Sequence, residues 1–257
     1  MPTRRLIAAL RGLRRPAAAA PAPAALPELD LEPWEQAIVD RALVDSITSR
    51  ERVVALVDAV RYCVDREIEG AFAECGVWRG GSVIAMIMAL QHMGVADRDI
   101  WLYDTFEGMT EPTEHDVSPI HKPALEIWRE AEATGGPAFP EYFDPELFNE
   151  QVVRENVLST GYPEARLHFV RGPVEQTIPG SAPERIALLR LDTDWYESTK
   201  HELEHLYPRL AAGGVLIIDD YGHWEGARRA VDEYFGAQAP HLLLNRIDYT
   251  GRIAVKH

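Results

Sequence analysis

At 257 residues with 46% hydrophobic content, the chain can bury one substantial core, or one domain with an appendage. Its net charge of −15 is unevenly placed, because residues 1–15 carry five arginines and no acid. A body this acidic repels phosphate backbones, which argues against nucleic acid as a partner and for a cationic ligand or a bound metal. Two cysteines, Cys63 and Cys75, without a CxxC pair fit a reducing, cytoplasmic setting. The apolar run Leu6–Leu10 is too short for an export signal, and no stretch approaches the length of a membrane span.

In chain order, residues 1–29 read as a basic head followed by an alanine- and proline-rich flexible tether, and residues 30–257 as a single domain. Two helices are expected within residues 30–69. Folding begins near Pro33, and Thr48-Ser49-Arg50-Glu51 matches a capping box ahead of Val53, Leu56, Val57, Val60 and Val64 at helical spacing. These helices offer a surface through which copies of the chain could associate. Ala71–Gly76 then reads as a first strand, Ser82–Met93 as the helix after it, and Ile100–Asp104 as a second strand. An acidic loop over residues 107–143 is too long for a plain connector and is expected to form a substrate lid. After it come a helix over Pro145–Leu158 and a strand over Arg166–Arg171. Strand and helix then alternate: Ile186–Leu191, Glu197–Leu210, Val215–Ile218 and Glu225–Phe235. The chain closes on a hairpin of His241–Ile247 and Arg252–Lys256. This alternation predicts an α/β, Rossmann-like, doubly wound sheet, mostly parallel, with N-terminal helices and a C-terminal antiparallel hairpin.

The strands Leu188–Leu191 and Val215–Ile218 both run into carboxylates, Asp192 and Asp194 after the first, Asp219 and Asp220 after the second. If the two strands are parallel neighbours, these acids reach one edge of the sheet, where open α/β sheets bind ligands. Crowded carboxylates need a cation among them, and an oxygen-only set suits magnesium or manganese rather than zinc. The turn Glu74-Cys75-Gly76-Val77-Trp78-Arg79-Gly80-Gly81-Ser82 lies between strand and helix, where glycine permits close backbone approach to a ligand. Asp104 ends the second strand, a position from which an acid accepts ribose hydroxyls, so the pair points to an adenosine-containing cofactor. A metal site beside it favours methyl transfer to a hydroxyl over hydride transfer. The segment His201-Glu202-Leu203-Glu204-His205 matches a zinc-protease pattern, but helical phasing against Leu203, Leu206 and Leu210 turns both histidines to solvent, and no third ligand is apparent.

With these motifs in hand, the chain resembles the class I S-adenosylmethionine-dependent methyltransferases, and more closely the macrocin O-methyltransferase (TylF-type) family. The segments that carry the resemblance are Glu74–Ser82, Tyr103–Gly108, Leu191–Thr199 and Asp219–Trp224. The resemblance implies methyl transfer from S-adenosyl-L-methionine to a hydroxyl of a sugar, on a glycosylated natural product or another glycoside. It also implies a magnesium (or manganese) ion on Asp192, Asp219 and Asp220, with Asp194 as the rival of Asp192. Catechol-type methyltransferases place a lysine base just after the first acid; Trp195 stands there in this chain, so the proton is expected to go to Asp192. The cofactor pocket would be lined by Glu74, Gly76, Val77, Trp78, Arg79, Gly80, Ser82, Asp104, Thr105, Phe106, Arg171, Gly172 and Asp192. His115, His121 and His223 are expected as acceptor contacts or secondary bases. The competing readings are a catechol-like phenolic O-methyltransferase and a non-catalytic binder of an adenosyl cofactor.

Overall fold

Five parallel strands, four of them buried along most of their length, set the architecture, and the described residues of the computed structural model are 30–238 and 242–257. The expected basic head and tether, and His241, where the closing hairpin is expected to begin, lie outside them. The strands are β1 (Ala71–Cys75), β2 (Ile100–Asp104), β3 (Leu167–Arg171), β4 (Ile186–Leu191) and β5 (Leu210–Ile218), all parallel. β6 (Asn245–Arg246) and β7 (Arg252–Val255) complete the sheet in the order β3-β2-β1-β4-β5-β7-β6, with β7 antiparallel to β5 and to β6. The hairpin is thus present, its first strand shorter than expected.

Side-chain parity divides the sheet between two cores. Phe72, Leu188 and Ile217 face one layer, made by α1 (Pro33–Ala42), α2 (Arg50–Asp65) and α3 (Gly81–His92). Ala73, Leu189 and Ile218 face the other, where α7 (Tyr196–His205) and α8 (Glu225–Gln238) pack together. Such alternation in fully buried strands is what a doubly covered parallel sheet requires. α2 starts one residue from the expected box: Ser49 is its N-cap and accepts the Arg52 N–H at 3.2 Å, without a reciprocal glutamate. The segment 107–143 is not all loop, since it carries α4 (Ala124–Thr134); α5 (Glu150–Leu158) begins later than the expected Pro145, behind a run of turns.

The crossing from β1–β2–β3 on one side to β4–β5 on the other creates a crevice outside the carboxyl ends of β1 and β4. Register makes it sharp. Cys75 pairs with Leu191 and Tyr103, and Leu191 with Ile218, so Gly76, Asp104, Asp192 and Asp219 leave the sheet at one level. Gly76, at φ 80°, passes so close to the next strand that a Cβ would lie 1.9 Å from the Asp192 carbonyl oxygen. Replacing Gly76 by alanine is expected to cost about 2–3 kcal/mol, near the upper end of ordinary single substitutions. Urea denaturation measures it; an unchanged midpoint contradicts the close approach.

Candidate active site

A cavity of ≈ 460 Å³ occupies this crevice beneath the segment 107–143. Of the sequence-expected cofactor residues, Glu74, Gly76, Val77, Trp78, Ser82, Asp104, Thr105, Gly172 and Asp192 line it. Four do not. Arg79 pairs with Asp45 at 2.8 Å, Gly80 is the N-cap of α3, Phe106 is buried in the core, and the exposed Arg171 pairs with Glu107. His121 and His223 reach the wall, whereas His115 packs against Tyr196 and Arg229 outside it.

Asp104 has a structural duty. Its Oδ2 accepts the N–H groups of Val77 (2.7 Å) and Trp78 (3.0 Å), and its Oδ1 accepts that of Phe106 (2.8 Å). It therefore ties the turn after β1 to the end of β2, and of its roughly four lone-pair positions only about one remains for a ligand. Three residues near the strand ends, Trp78, Phe106 and Asp194, sit in the left-handed region at φ 46°, 55° and 66°. Non-glycine residues hold such conformations only where surrounding contacts over-determine them. Asp194 illustrates the point: its Oδ1 accepts the Trp224 indole N–H at 2.7 Å, and its own N–H reaches Asp220 at 3.3 Å.

Asp192, Asp219 and Asp220 each bring a carboxylate oxygen within 4.8 Å of the others. The expectation that β4 and β5 are neighbours is met, and so is the convergence of the acids. What sequence reasoning missed is the cation already beneath them. Arg190, 3% exposed, donates from Nη1 to Glu74 Oε1 (2.5 Å) and Asp192 Oδ2 (2.6 Å), and from Nη2 to Asp219 Oδ1 (2.5 Å). Arg52 of α2 pairs with the other oxygen of Asp219. The signal was readable: an arginine inside a wholly apolar strand cannot stay unpaired, and its parity with Leu188 places it on the α2 side with Glu74, its register partner.

Even so, the acids outnumber the guanidiniums. Burial, reinforced by the neighbouring carboxylates, pushes Asp192 and Asp220 well above the ordinary range, although Arg190 pulls Asp192 back. Burial likewise raises Glu74 to about 7 and Asp194 to about 6. Glu74 Oε2 is buried without a hydrogen-bond partner at the cavity wall. Three oxygen donors with surplus negative charge fit a hard divalent cation, and the orphaned Glu74 oxygen fits a cationic group such as the ammonium of an amino-acid moiety.

The zinc-protease pattern is corrected in detail. His201 is not free in solvent, because its Nε2 meets the Ile178 carbonyl at 2.8 Å. Glu202 is fully buried, where its Oε1 accepts the Thr193 hydroxyl at 2.9 Å and steadies the loop after β4. The 107–143 segment is anchored as well: buried Asp116 accepts the N–H groups of Tyr196 (2.7 Å) and Thr113 (2.6 Å), and the Trp195 indole donates to the Thr110 carbonyl at 3.0 Å.

Comparison with known proteins agrees with this geometry. A family model described as Macrocin-O-methyltransferase (TylF) matches residues 40–255. The 8-demethyl-8-(2,3-dimethoxy-alpha-L-rhamnosyl)-tetracenomycin-C 4'-O-methyltransferase of Streptomyces olivaceus is 37% identical over 198 residues, covering 76% of this chain and 70% of that protein. The demethyldecarbamoylnovobiocin O-methyltransferase of Streptomyces niveus is 32% identical over 179 residues, 68% of this chain; the match spans 63% of that relative, under two thirds of its length. Among solved structures, the O-methyltransferase NovP superposes with a TM-score of 0.70 at 27% identity, covering 82% of both chains. Among the described residues no helix is long and apolar enough to cross a membrane.

Two outcomes follow from the charge balance. Removing the buried guanidinium in Arg190→Leu strands its carboxylate partners and is expected to cost about 3–5 kcal/mol in urea denaturation, as for other broken buried pairs; a loss under about 1 kcal/mol contradicts the account. Glu74 and Asp194 hold protons when folded at pH values where the unfolded chain, at ordinary values of 4.5 and 3.8, has released them. Their contribution to stability therefore falls as pH rises from about 4 to about 7. In EDTA the melting temperature should be lower at pH 7.5 than at pH 5.5, and a gap unchanged by Asp194→Asn would remove Asp194 from the explanation.

Proposed function

Because the chain belongs to the macrocin O-methyltransferase (TylF) family and is accordingly an O-methyltransferase, we propose that it methylates a hydroxyl of a sugar carried by a glycosylated natural product. The methyl donor in this reading is S-adenosyl-L-methionine, with magnesium or manganese on Asp192, Asp219 and Asp220. The observation that carries the reading is the convergence of those three carboxylates beside the Gly76 turn, in a cavity closed by the segment 107–143. The Streptomyces olivaceus relative, by its name a methyltransferase of a rhamnosyl-bearing compound, supports a sugar acceptor.

When bound, S-adenosylmethionine supplies an electrophilic methyl group and the divalent cation supplies Lewis-acid polarisation of the acceptor hydroxyl. The chain's own residues do the rest. Glu74, whose Oε2 has no protein partner, would hold the ammonium of the bound cofactor. The turn at Val77 and Trp78, pinned by Asp104, would line the bound cofactor. Asp192 has one oxygen engaged by Arg190, which leaves the other to take the hydroxyl proton. Trp195 and Trp224, packed edge to face with ring centroids 4.9 Å apart, form an apolar wall that excludes water and orients the acceptor.

Asp194 is the second reading for the base. Its value of about 6 lies near a working pH, as an efficient general base requires, and it lines the same cavity. Methyl transfer to a rhamnosyl glycoside, followed by mass spectrometry, separates the two. Asp192→Asn and Asp219→Asn are each expected to lower kcat by roughly 10²-fold or more, the scale of a lost base or a lost metal ligand. Should Asp194→Asn alone abolish turnover while Asp192→Asn retains it, the proton goes to Asp194. Turnover of catechols but not glycosides would establish the phenolic alternative, and thermal stabilisation by S-adenosylmethionine without turnover of either the non-catalytic one.

A further inference from the structure

The two guanidiniums at Asp219 are not equivalent. Arg190 is fixed by three carboxylates at 3% exposure. Arg52, 13% exposed, spans two acids: its Nη1 is on Asp219 Oδ2 and its Nε is 3.0 Å from Asp248 Oδ2. The same Nε lies 3.3 Å from Ser49 Oγ.

Asp248 is held independently of Asp219. Its Oδ1 accepts the N–H groups of Thr250 (2.9 Å) and Gly251 (2.6 Å), and its Oδ2 accepts the Ser49 hydroxyl at 2.8 Å. The Arg52 stem is confined under Gly251, where a Cβ would meet its Cγ and Cδ at 3.0 Å. Only the guanidinium head is therefore left to change partners. With both Asp219 oxygens carrying a guanidinium, a dication joining the three acids must meet one of those positive charges at contact distance, where like charges repel most strongly.

We propose that Arg52 is an exchangeable counter-cation, which cedes Asp219 Oδ2 to a divalent metal ion and stays anchored on Asp248. The inference rests on the reading of Asp192, Asp219 and Asp220 as a cation site. It gives the hairpin turn at 248–251, which contributes no metal ligand, a part in setting metal affinity. Arg52 is on this account a positioning residue rather than a catalytic one.

Binding of Mn²⁺ alone to the full chain, followed by electron paramagnetic resonance of the free ion, provides the test. Arg52→Gln removes the competitor and should tighten binding by roughly tenfold, within the usual range for coupled sites. Asp248→Asn removes the alternative anchor and should weaken binding by a similar factor of about ten, but only while Arg52 is present. In the Arg52→Gln background the second substitution should have little effect. Weaker or unchanged binding in Arg52→Gln, or an equal Asp248→Asn effect in both backgrounds, overturns the exchange. Should Arg52→Gln fail to fold, unaltered affinity in Asp248→Asn alone does so. A native chain that binds no Mn²⁺ overturns the cation site itself, and the exchange with it.

Discussion

The candidate site depends on one buried cation. Arg190 stands in a strand that is otherwise apolar, and its planar fork reaches Glu74, the penultimate residue of β1, Asp192, the first residue past β4, and Asp219, the first past β5. Three strands are thereby joined at their carboxyl ends by charge-assisted hydrogen bonds as well as by the backbone ladder. A guanidinium suits this place because it stays charged and offers several donors in one plane. Without it, the sheet register would press the acids together with only Arg52, on one oxygen of Asp219, to offset them.

The same contact shapes what the acids can do. Each carboxylate that Arg190 engages has a second oxygen that Arg190 does not take: that of Glu74 is buried without a hydrogen-bond partner, and that of Asp219 pairs with Arg52. Asp220, which Arg190 does not touch, is left to burial and to its neighbours' charge. The result is a cluster organised enough to hold its geometry and still short of positive charge, which is the condition for binding a dication. The α7 and α8 layer contributes the opposite quality, an apolar wall of Trp195 and Trp224 tied down by hydrogen bonds to Thr110 and Asp194.

Much of this was legible before any coordinates. Apolar runs ending in acids mark β4 and β5, and the glycine-rich turn after β1 marks the cofactor side, because each signal is local and repeats along the chain. Asp192, Asp219 and Asp220 came together for the reason expected, parallel neighbours in register. Other features depend on partners far away in sequence. Asp104 reads as a ribose acceptor, yet three backbone N–H groups occupy most of it, and two of them belong to a turn 26 and 27 residues off. Arg79 and Arg171 look like anion or cofactor contacts in their motifs, but nearby acids on other elements claim them. Glu202 was hidden for a different reason: a charged residue on this helix gives no sign of burial by itself, and its partner, the half-buried Thr193 hydroxyl, lies in the loop before the helix. The helix at 124–134 does carry a periodic signal, with Ala124, Ile127, Trp128 and Ala131 at helical spacing, but it is set in an acidic segment that otherwise reads as loop.

The central claim is that the acids at the ends of β4 and β5 work through a divalent cation in methyl transfer. The most direct measurement is the rate of methyl transfer from S-adenosylmethionine to a glycoside acceptor, with the full chain stripped by EDTA and then supplied with increasing Mg²⁺. A rate that vanishes on stripping and returns saturably with Mg²⁺ is the predicted result. Full turnover in excess EDTA would contradict it.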